Sequence, residues 1–425
     1  MAIDSLILTL SGVLTAVSIL FLYWWVWVPP VLFFLWLEVN EQYAKTRYLS
    51  EMKWVLLEIK VPQDVHRSPK AMEQLFAALH SIGGVPPAKS WLDKFRVWRG
   101  KIFKGQVPDW FAFEIVGLGG QIHFYIRVLE SHRGVAEAQI YAHYPEAELS
   151  QVPDYMAQLP LGAPDETFEV NGQEMGLSKE DAYPIRTYIE FEEQGAGKED
   201  VKRIDPLGPV AEVLNAMLFG ETLGIQYLFR ASDDSWIKKG QAVLDKIHEK
   251  PEKPKENIFE KGFKLMDMAL GVPAAAPEKK EAKTFGQLGP GAQETVKAIE
   301  RSFTKLAFYA GIRILYAAPK DRYVKERLGQ VSAGFKLFAS QSLNGFKSEF
   351  SPDVKKGFNK EAKTFENKKK LYGRYRQRAF PAKPFILTTE EAATIFHFPD
   401  VGLRTPSLPR VQAKKGEPPV NLPVV

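Results

Sequence analysis

The first strong pattern along the chain is an unbroken apolar one. Leu6 to Val28 (LILTLSGVLTAVSILFLYWWVWV) contains 23 residues and no charged side chain. At about 1.5 Å per residue a helix of that length covers roughly 35 Å, enough for the ~30 Å hydrocarbon core of a bilayer. Tyr23, Trp24, Trp25 and Trp27 crowd its C-terminal end, where amphipathic rings sit at headgroup level. A cleaved signal peptide would need a basic leader and small residues at its exit. Here the leader is Met-Ala-Ile-Asp-Ser and the run ends at Pro29-Pro30, so the pattern predicts an uncleaved anchor. Asp4 is the only side-chain charge before the span, whereas Lys45, Arg47 and Lys53 follow it. The positive-inside rule then predicts a single pass through the inner membrane, N-terminus outside and the bulk cytoplasmic. Val31 to Leu37 is too short to cross again and is expected to lie at the interface beyond a Pro-Pro break.

Beyond this anchor and juxtamembrane segment (1–53) the periods shorten. Trp54 to Val61 reads as a strand. Ser68-Pro69 supplies an N-cap and a first-turn proline, followed by Met72, Leu75, Phe76, Leu79 and Ile82 on one helix face up to Gly83-Gly84. After a basic connector, Trp110 to Val116, Gln121 to Leu129 and Val135 to Tyr144 read as a β-meander. Tyr183 to Glu192 reads as a strand, Asp205 to Phe219 as a helix and Leu223 to Arg230 as a strand. Ala292 to Leu306 then reads as a helix, Ala307 to Ala317 as a strand and Asp321 to Ser342 as a long helix. The recurring order predicts an α+β protein with an N-terminal transmembrane helix and two ferredoxin-like units, 54–165 and 166–350. A helical insertion and an Ala/Pro/Lys/Gly-rich linker occupy 235–291 in the second unit, and a basic segment with a Pro-rich tail fills 351–425.

The chain has 425 residues and no cysteine, which excludes disulfides, thiolate metal sites and cysteine nucleophiles. Its net charge of +5 is too small to make the whole chain a polyanion binder. The charge is unevenly placed: Lys355 to Lys383 carries eleven Lys/Arg against Glu361 and Glu366, a local +9 that leaves the remainder at −4. On a helix there, Lys368, Lys369, Lys370, Arg374, Arg376 and Arg378 surround most of the circumference and are the candidate nucleic-acid-binding residues, with Tyr372 and Tyr375 available for stacking. Acidic lipid is a second partner for residues 355–383, and a solvated helix with one packed face is the plain alternative.

No catalytic constellation, cofactor site or metal site stands out. Gly195-Ala196-Gly197-Lys198-Glu199 lacks the first glycine and the hydroxyl residue of a phosphate-binding loop. His123, His132 and His143 have no carboxylate placed to favour zinc. Glu390-Glu391 follows Thr388 as a helix capping box rather than a catalytic pair. The sequence therefore predicts a protein that is not an enzyme.

Leu56 to His80, Gln139 to Tyr155, Pro384 to Asp400 (PFILTTEEAATIFHFPD) and Thr405 to Pro423 (TPSLPRVQAKKGEPPVNLP) together resemble a known pattern. It is that of the membrane-proximal N-terminal region of type IV secretion-like, conjugative DNA-transfer ATPases of candidate-phylum bacteria. The resemblance spans roughly residues 50 to 423. The chain ends at Val425, where that family's motor core begins, so no ATP-binding residue carries over. The resemblance implies a membrane-anchored, non-catalytic subunit of an oligomeric DNA-translocation machine, docking a separate motor ATPase at the cytoplasmic face. A structural membrane scaffold with no nucleic-acid role is the alternative.

Overall fold

A computed structural model describes Ser18 and residues 22–61, 68–83, 90–193, 205–248 and 285–399. In chain order its elements begin with α1 (Trp24–Glu51), β1 (Trp54–Lys60), α2 (Pro69–Leu79), α3 (Trp91–Lys104), β2 (Phe111–Leu118), β3 (Gln121–Leu129), α4 (Arg133–His143) and β4 (Glu148–Gln151). They continue with β5 (Phe168–Leu177), α5 (Tyr188–Glu193), α6 (Gly208–Asn215), β6 (Thr222–Ala231), α7 (Ser235–Ile247) and α8 (Pro290–Ser302). Last come β7 (Ala307–Pro319), α9 (Glu326–Gly334), β8 (Phe346–Phe350), α10 (Lys360–Gln377), β9 (Phe385–Thr388) and α11 (Thr389–Ile395). Two compact units result: Met1–Lys53 with Pro86–Pro108, and Trp54–Val85 with Asp109–Val425.

In the first unit α1 runs straight through Pro29-Pro30, against the break expected there from the sequence; both prolines lie inside the helix. Each removes one backbone bond, but from Leu35 onward the segment is rich in strong helix formers. α3 packs on α1 through an ion pair of Lys101 with Glu41 at 2.8 Å and the Asn40 amide donating to the Ile102 carbonyl at 2.8 Å. Gly105 caps α3 at φ +63, and a Cβ there would fall 2.1 Å from the Ala44 backbone.

The second unit is built on one nine-stranded sheet, every pairing of which is antiparallel. Four strands of its first half lie in the order β4-β1-β3-β2 and four of its second half in the order β8-β5-β7-β6. The connectivity is the same, and the halves join through β2 and β6, with Phe111 opposite Phe229 and Leu118 opposite Thr222. β9 pairs with the first residues of β7, Ala307 to Ala310. Because side chains alternate across a strand, Phe111, Phe113, Ile115, Ile225, Tyr227, Phe229, Ile312 and Ile314 form one face. That face is buried with Met72, Leu75 and Phe76 of α2, Ile140 of α4, Leu214 of α6 and Val331 of α9. Leu56, Val116, Tyr125, Val170, Leu315 and Ala317 lie on the other, with Tyr155, Met156, Tyr372 and Tyr375 over them.

The structure corrects several sequence expectations. Val135 to Tyr144 is helical: Ala136 and Ile140, four apart, are buried while Val135 and Tyr141 are exposed, so the effective period is that of a helix. Tyr183 to Glu192 is not a strand. Pro184 has no N–H to give a ladder, and the Ile185 N–H goes instead to the Glu391 carboxylate at 2.9 Å, before the short α5. The long helix expected over Asp321 to Ser342 is only α9 with a 3₁₀ turn at Phe335–Phe338, and β4, β5, β8 and β9 had no predicted counterpart. Most of the 235–291 insertion and the Thr405 to Val425 tail lie outside the described residues, as do residues 1–17 and 19–21 of the apolar N-terminus.

Candidate functional site

A row of polar side chains crosses the second sheet face in register. Glu58 lies opposite Tyr125, Tyr125 opposite Glu114, Glu114 opposite Gln226, Gln226 opposite Arg313, and Arg313 opposite Glu174. The row spans β1, β3, β2, β6, β7 and β5, and Glu114, Gln226 and Arg313 are buried. Buried polar groups need partners, and α10 with its C-cap Arg378 supplies several of them, while the Gln226 side-chain oxygen has none among the described residues. Two mid-strand glycines let it come close: a Cβ at Gly224 would lie 1.9 Å from the Tyr375 hydroxyl, and one at Gly172 2.9 Å from Leu371.

The helix ends on this row. The last four carbonyls of an α-helix have no intrahelical partner, and here each accepts from a side chain. Arg313 donates to the Arg374 carbonyl at 3.1 Å, Gln226 to Tyr375 at 3.0 Å, Arg378 to Arg376 at 3.1 Å and Arg127 to Gln377 at 3.1 Å. Three of the donors are cationic, which suits the negative end of the helix dipole. Arg378, the left-handed C-cap, is completely buried. Its guanidinium donates to both Glu114 oxygens at 2.8 and 3.2 Å and to Asp154 at 2.9 Å, with a second donation to Asp154. Tyr155 donates to Glu114 at 2.6 Å and shares a 2.9 Å hydrogen bond with Tyr375. Burial by itself lowers an arginine pKa, but the Glu114 carboxylate, with Tyr155 and Asp154, holds that of Arg378 well above its ordinary value. Arg127, desolvated and beside Arg378, is pushed down to about 10.

The six cations singled out in the sequence are therefore not alike. Arg378 is sequestered and cannot reach a phosphate. Lys368 pairs with Glu169 at 2.8 Å, Arg374 with Glu174 at 3.2 Å, and Arg376 donates to the Met156 carbonyl at 3.1 Å. Lys369 is exposed with its ammonium 4.6 Å from the Phe365 ring, and Lys370 is exposed. Tyr372 and Tyr375 are buried, so neither ring can stack on a base. Nothing local to the basic segment reveals the carboxylates that hold these cations, because Glu114, Glu169 and Glu174 lie on strands and Asp154 in a loop, as many as 264 residues away. An isolated charge inside an apolar strand, as at Glu114 or Arg313, was the one usable signal.

The capping box at Thr388 is present, with the Glu391 carboxylate accepting from the Thr388 N–H and hydroxyl at 2.8 Å each. Burial pushes Glu391 up to about 7 against these hydrogen bonds. The neighbouring Glu390 accepts from Thr187 at 2.7 Å and Arg301 at 3.1 Å, at the floor of a polar groove of about 430 Å³ also lined by Lys297, Lys305, Ser302 and Ser342. His123 shares a 2.6 Å hydrogen bond with Glu58, His132 a 2.9 Å one with Asp109, and His143 a 2.9 Å one with the Gln139 carbonyl. Among the described residues no three His, Asp or Glu side chains are grouped to hold a metal. The Gly195 to Glu199 string lies outside them.

In the first unit the N-terminal half of α1 exposes Trp24, Trp25, Leu32, Phe33, Phe34 and Trp36 together. No helix of the described residues is long and apolar enough to cross a membrane. Residues 36–410, most of the chain, match the family model described as Domain of unknown function (DUF8128). The chain belongs to the DUF8128 family. That match takes in the end of α1, α3, the whole sheet and α10, so the polar row and its helix are part of the DUF8128 region. No curated protein matches the chain.

Proposed function

We propose that this DUF8128 chain is a membrane-tethered, non-catalytic platform of a type IV secretion-like DNA-translocation machine. Two ferredoxin-like units, fused through β2 and β6, form the platform, and its role is to hold a separate motor ATPase at the cytoplasmic face. The observation that carries the tether is the exposure of large apolar side chains at the start of α1 and just before it, from Leu22 to Val26 and again from Val31 to Trp36, at the C-terminal end of the uncharged stretch that begins at Leu6. A soluble surface rarely exposes so large an apolar patch. The motor-docking role rests on the resemblance of residues 384–400 and 405–423.

The use of α10 inside the fold favours a platform over a nucleic-acid-binding helix, since four of its six expected phosphate contacts are spent on carboxylates and carbonyls of the same chain. A proline-rich segment pairs poorly as strand or helix and suits extended docking on a partner. Deleting Thr405 to Val425 from the full-length, detergent-extracted protein is expected to abolish co-purification with a P-loop ATPase of the same cell and to leave membrane insertion intact. Unchanged co-purification overturns the docking role.

A further inference from the structure

The helix α3 carries a second apolar face that the sequence pattern passed over as a basic connector. Trp91, Phe95 and Trp98 recur at helical spacing and stay exposed, Trp91 at 72%, and the Phe95 and Trp98 rings stack with centroids 5.6 Å apart. Leu92 is exposed beside them. Lys94 and Arg99 flank this stripe, and with Arg96, Lys101 and Lys104 against the single acid Asp93 they give a net +4 on one short helix. Among the described residues Lys101 alone of these cations pairs with another helix, through Glu41, and Arg96 meets Asp93 of its own helix at 3.5 Å. Capping at both ends fixes α3 as a helix without a ligand: Ser90 and Asp93 form a capping box, and Gly105 closes the C-terminus.

We propose that α3 is an interfacial helix that lies on the anionic surface of the bilayer. Trp91, Phe95 and Trp98 insert at the headgroup–acyl boundary, and Lys94 and Arg99 on either side of them meet lipid phosphates. Aromatic residues on one face with Lys and Arg around them are the composition that binds an interface plane. Charge decides between occupants: a second copy would bring another +4 against the first, whereas acidic lipid neutralises it. The inference rests on the membrane-tether reading above and goes further, because a single span leaves the unit free to pivot and a second contact fixes it against the surface.

The absence of native cysteine makes the test direct. Single cysteines placed by Phe95→Cys, Asp93→Cys and Leu32→Cys in the full-length protein are labelled with a nitroxide. Bilayer depth is then read by oxygen and nickel-chelate accessibility in vesicles of phosphatidylcholine with or without phosphatidylglycerol. The proposal expects the Phe95 label inside the bilayer, the Asp93 label on the opposite face in water, and insertion that strengthens with phosphatidylglycerol. At about fivefold per cation near an anionic surface, Lys94→Gln and Arg99→Gln together lower the inserted-to-free ratio roughly twenty-five-fold. A water-exposed Phe95 label overturns the proposal, and the Leu32 label separates the two ideas: inside the bilayer it leaves the tether standing, and in water it removes that too. Spin–spin broadening at Phe95 without lipid dependence overturns the lipid assignment in favour of a second copy.

Discussion

Replacing Arg378 by alanine isolates the role of the basic segment. In the intact protein the guanidinium satisfies both oxygens of the buried Glu114, both oxygens of Asp154 and the Arg376 carbonyl. Removing one partner of a buried ion pair costs about 3–5 kcal/mol, because the other charge is left desolvated. Glu114 keeps Tyr155 at 2.6 Å and Gln226 at 3.3 Å, and Asp154 lies at the solvent edge with its side chain 44% exposed. Both features limit the damage, so the loss should fall near the lower end, about 3 kcal/mol. Equilibrium urea unfolding of the full-length chain in mild detergent, followed by circular dichroism, measures it. The paired change Glu114→Gln with Arg378→Met removes both charges and should recover at least half of the loss. A cost below about 1 kcal/mol for Arg378→Ala would refute the argument, since that magnitude belongs to a solvated surface pair.

Gly224→Ala places a methyl group 1.9 Å from the Tyr375 hydroxyl and should destabilise by at least about 1–3 kcal/mol through overpacking, with protease sensitivity rising first around α10; an unchanged unfolding midpoint would show that the helix does not press on the sheet. Glu391 is pushed up to about 7, so the folded state holds its proton more tightly than the unfolded one, and stability should fall by about 2 kcal/mol as pH rises from 5 to 7. His397, raised by Asp205 against its burial, adds a loss of the same sign above its unfolded pKa, whereas the depressed carboxylates of Glu58 and Asp154 act only below this window. Stability that rises over that interval contradicts the assignment. If duplex DNA binds at all, Lys369→Gln with Lys370→Gln should change the slope of log affinity against log salt by no more than about 2, and Arg378→Met should leave it unaltered in protein that remains folded.

What the sequence revealed and what it hid follow from where each signal resides. α2 was legible because Ser68, Pro69 and a one-sided apolar stripe are all local. β5 was not, since its Asn171, Gln173 and Glu174 take partners from distant residues, Asp353, Ser332 and Arg313, and this breaks the apolar alternation. The strand-like look of Val135 to Tyr144 came from aromatic and β-branched residues, whereas burial of Ala136 and Ile140 selects the helix. The basic cluster was legible as charge, but its meaning depended on Glu114, Asp154, Glu169 and Glu174. Those carboxylates are brought to it only by the strand register and by the loop that carries Asp154. The α3 surface was visible all along as Trp91, Phe95 and Trp98 at helical intervals, and was missed because the surrounding charge made the segment look like a linker.

The measurement closest to the central claim is the fraction of the P-loop motor ATPase that sediments with inner membranes in cells with and without this protein. A membrane-tethered platform predicts that the ATPase moves to the soluble fraction when the chain is deleted and returns to the membrane when the full-length protein is restored, but not when the restored protein lacks residues before Trp54. An ATPase that stays membrane-bound without the chain, or that is recruited equally by the truncated form, contradicts it.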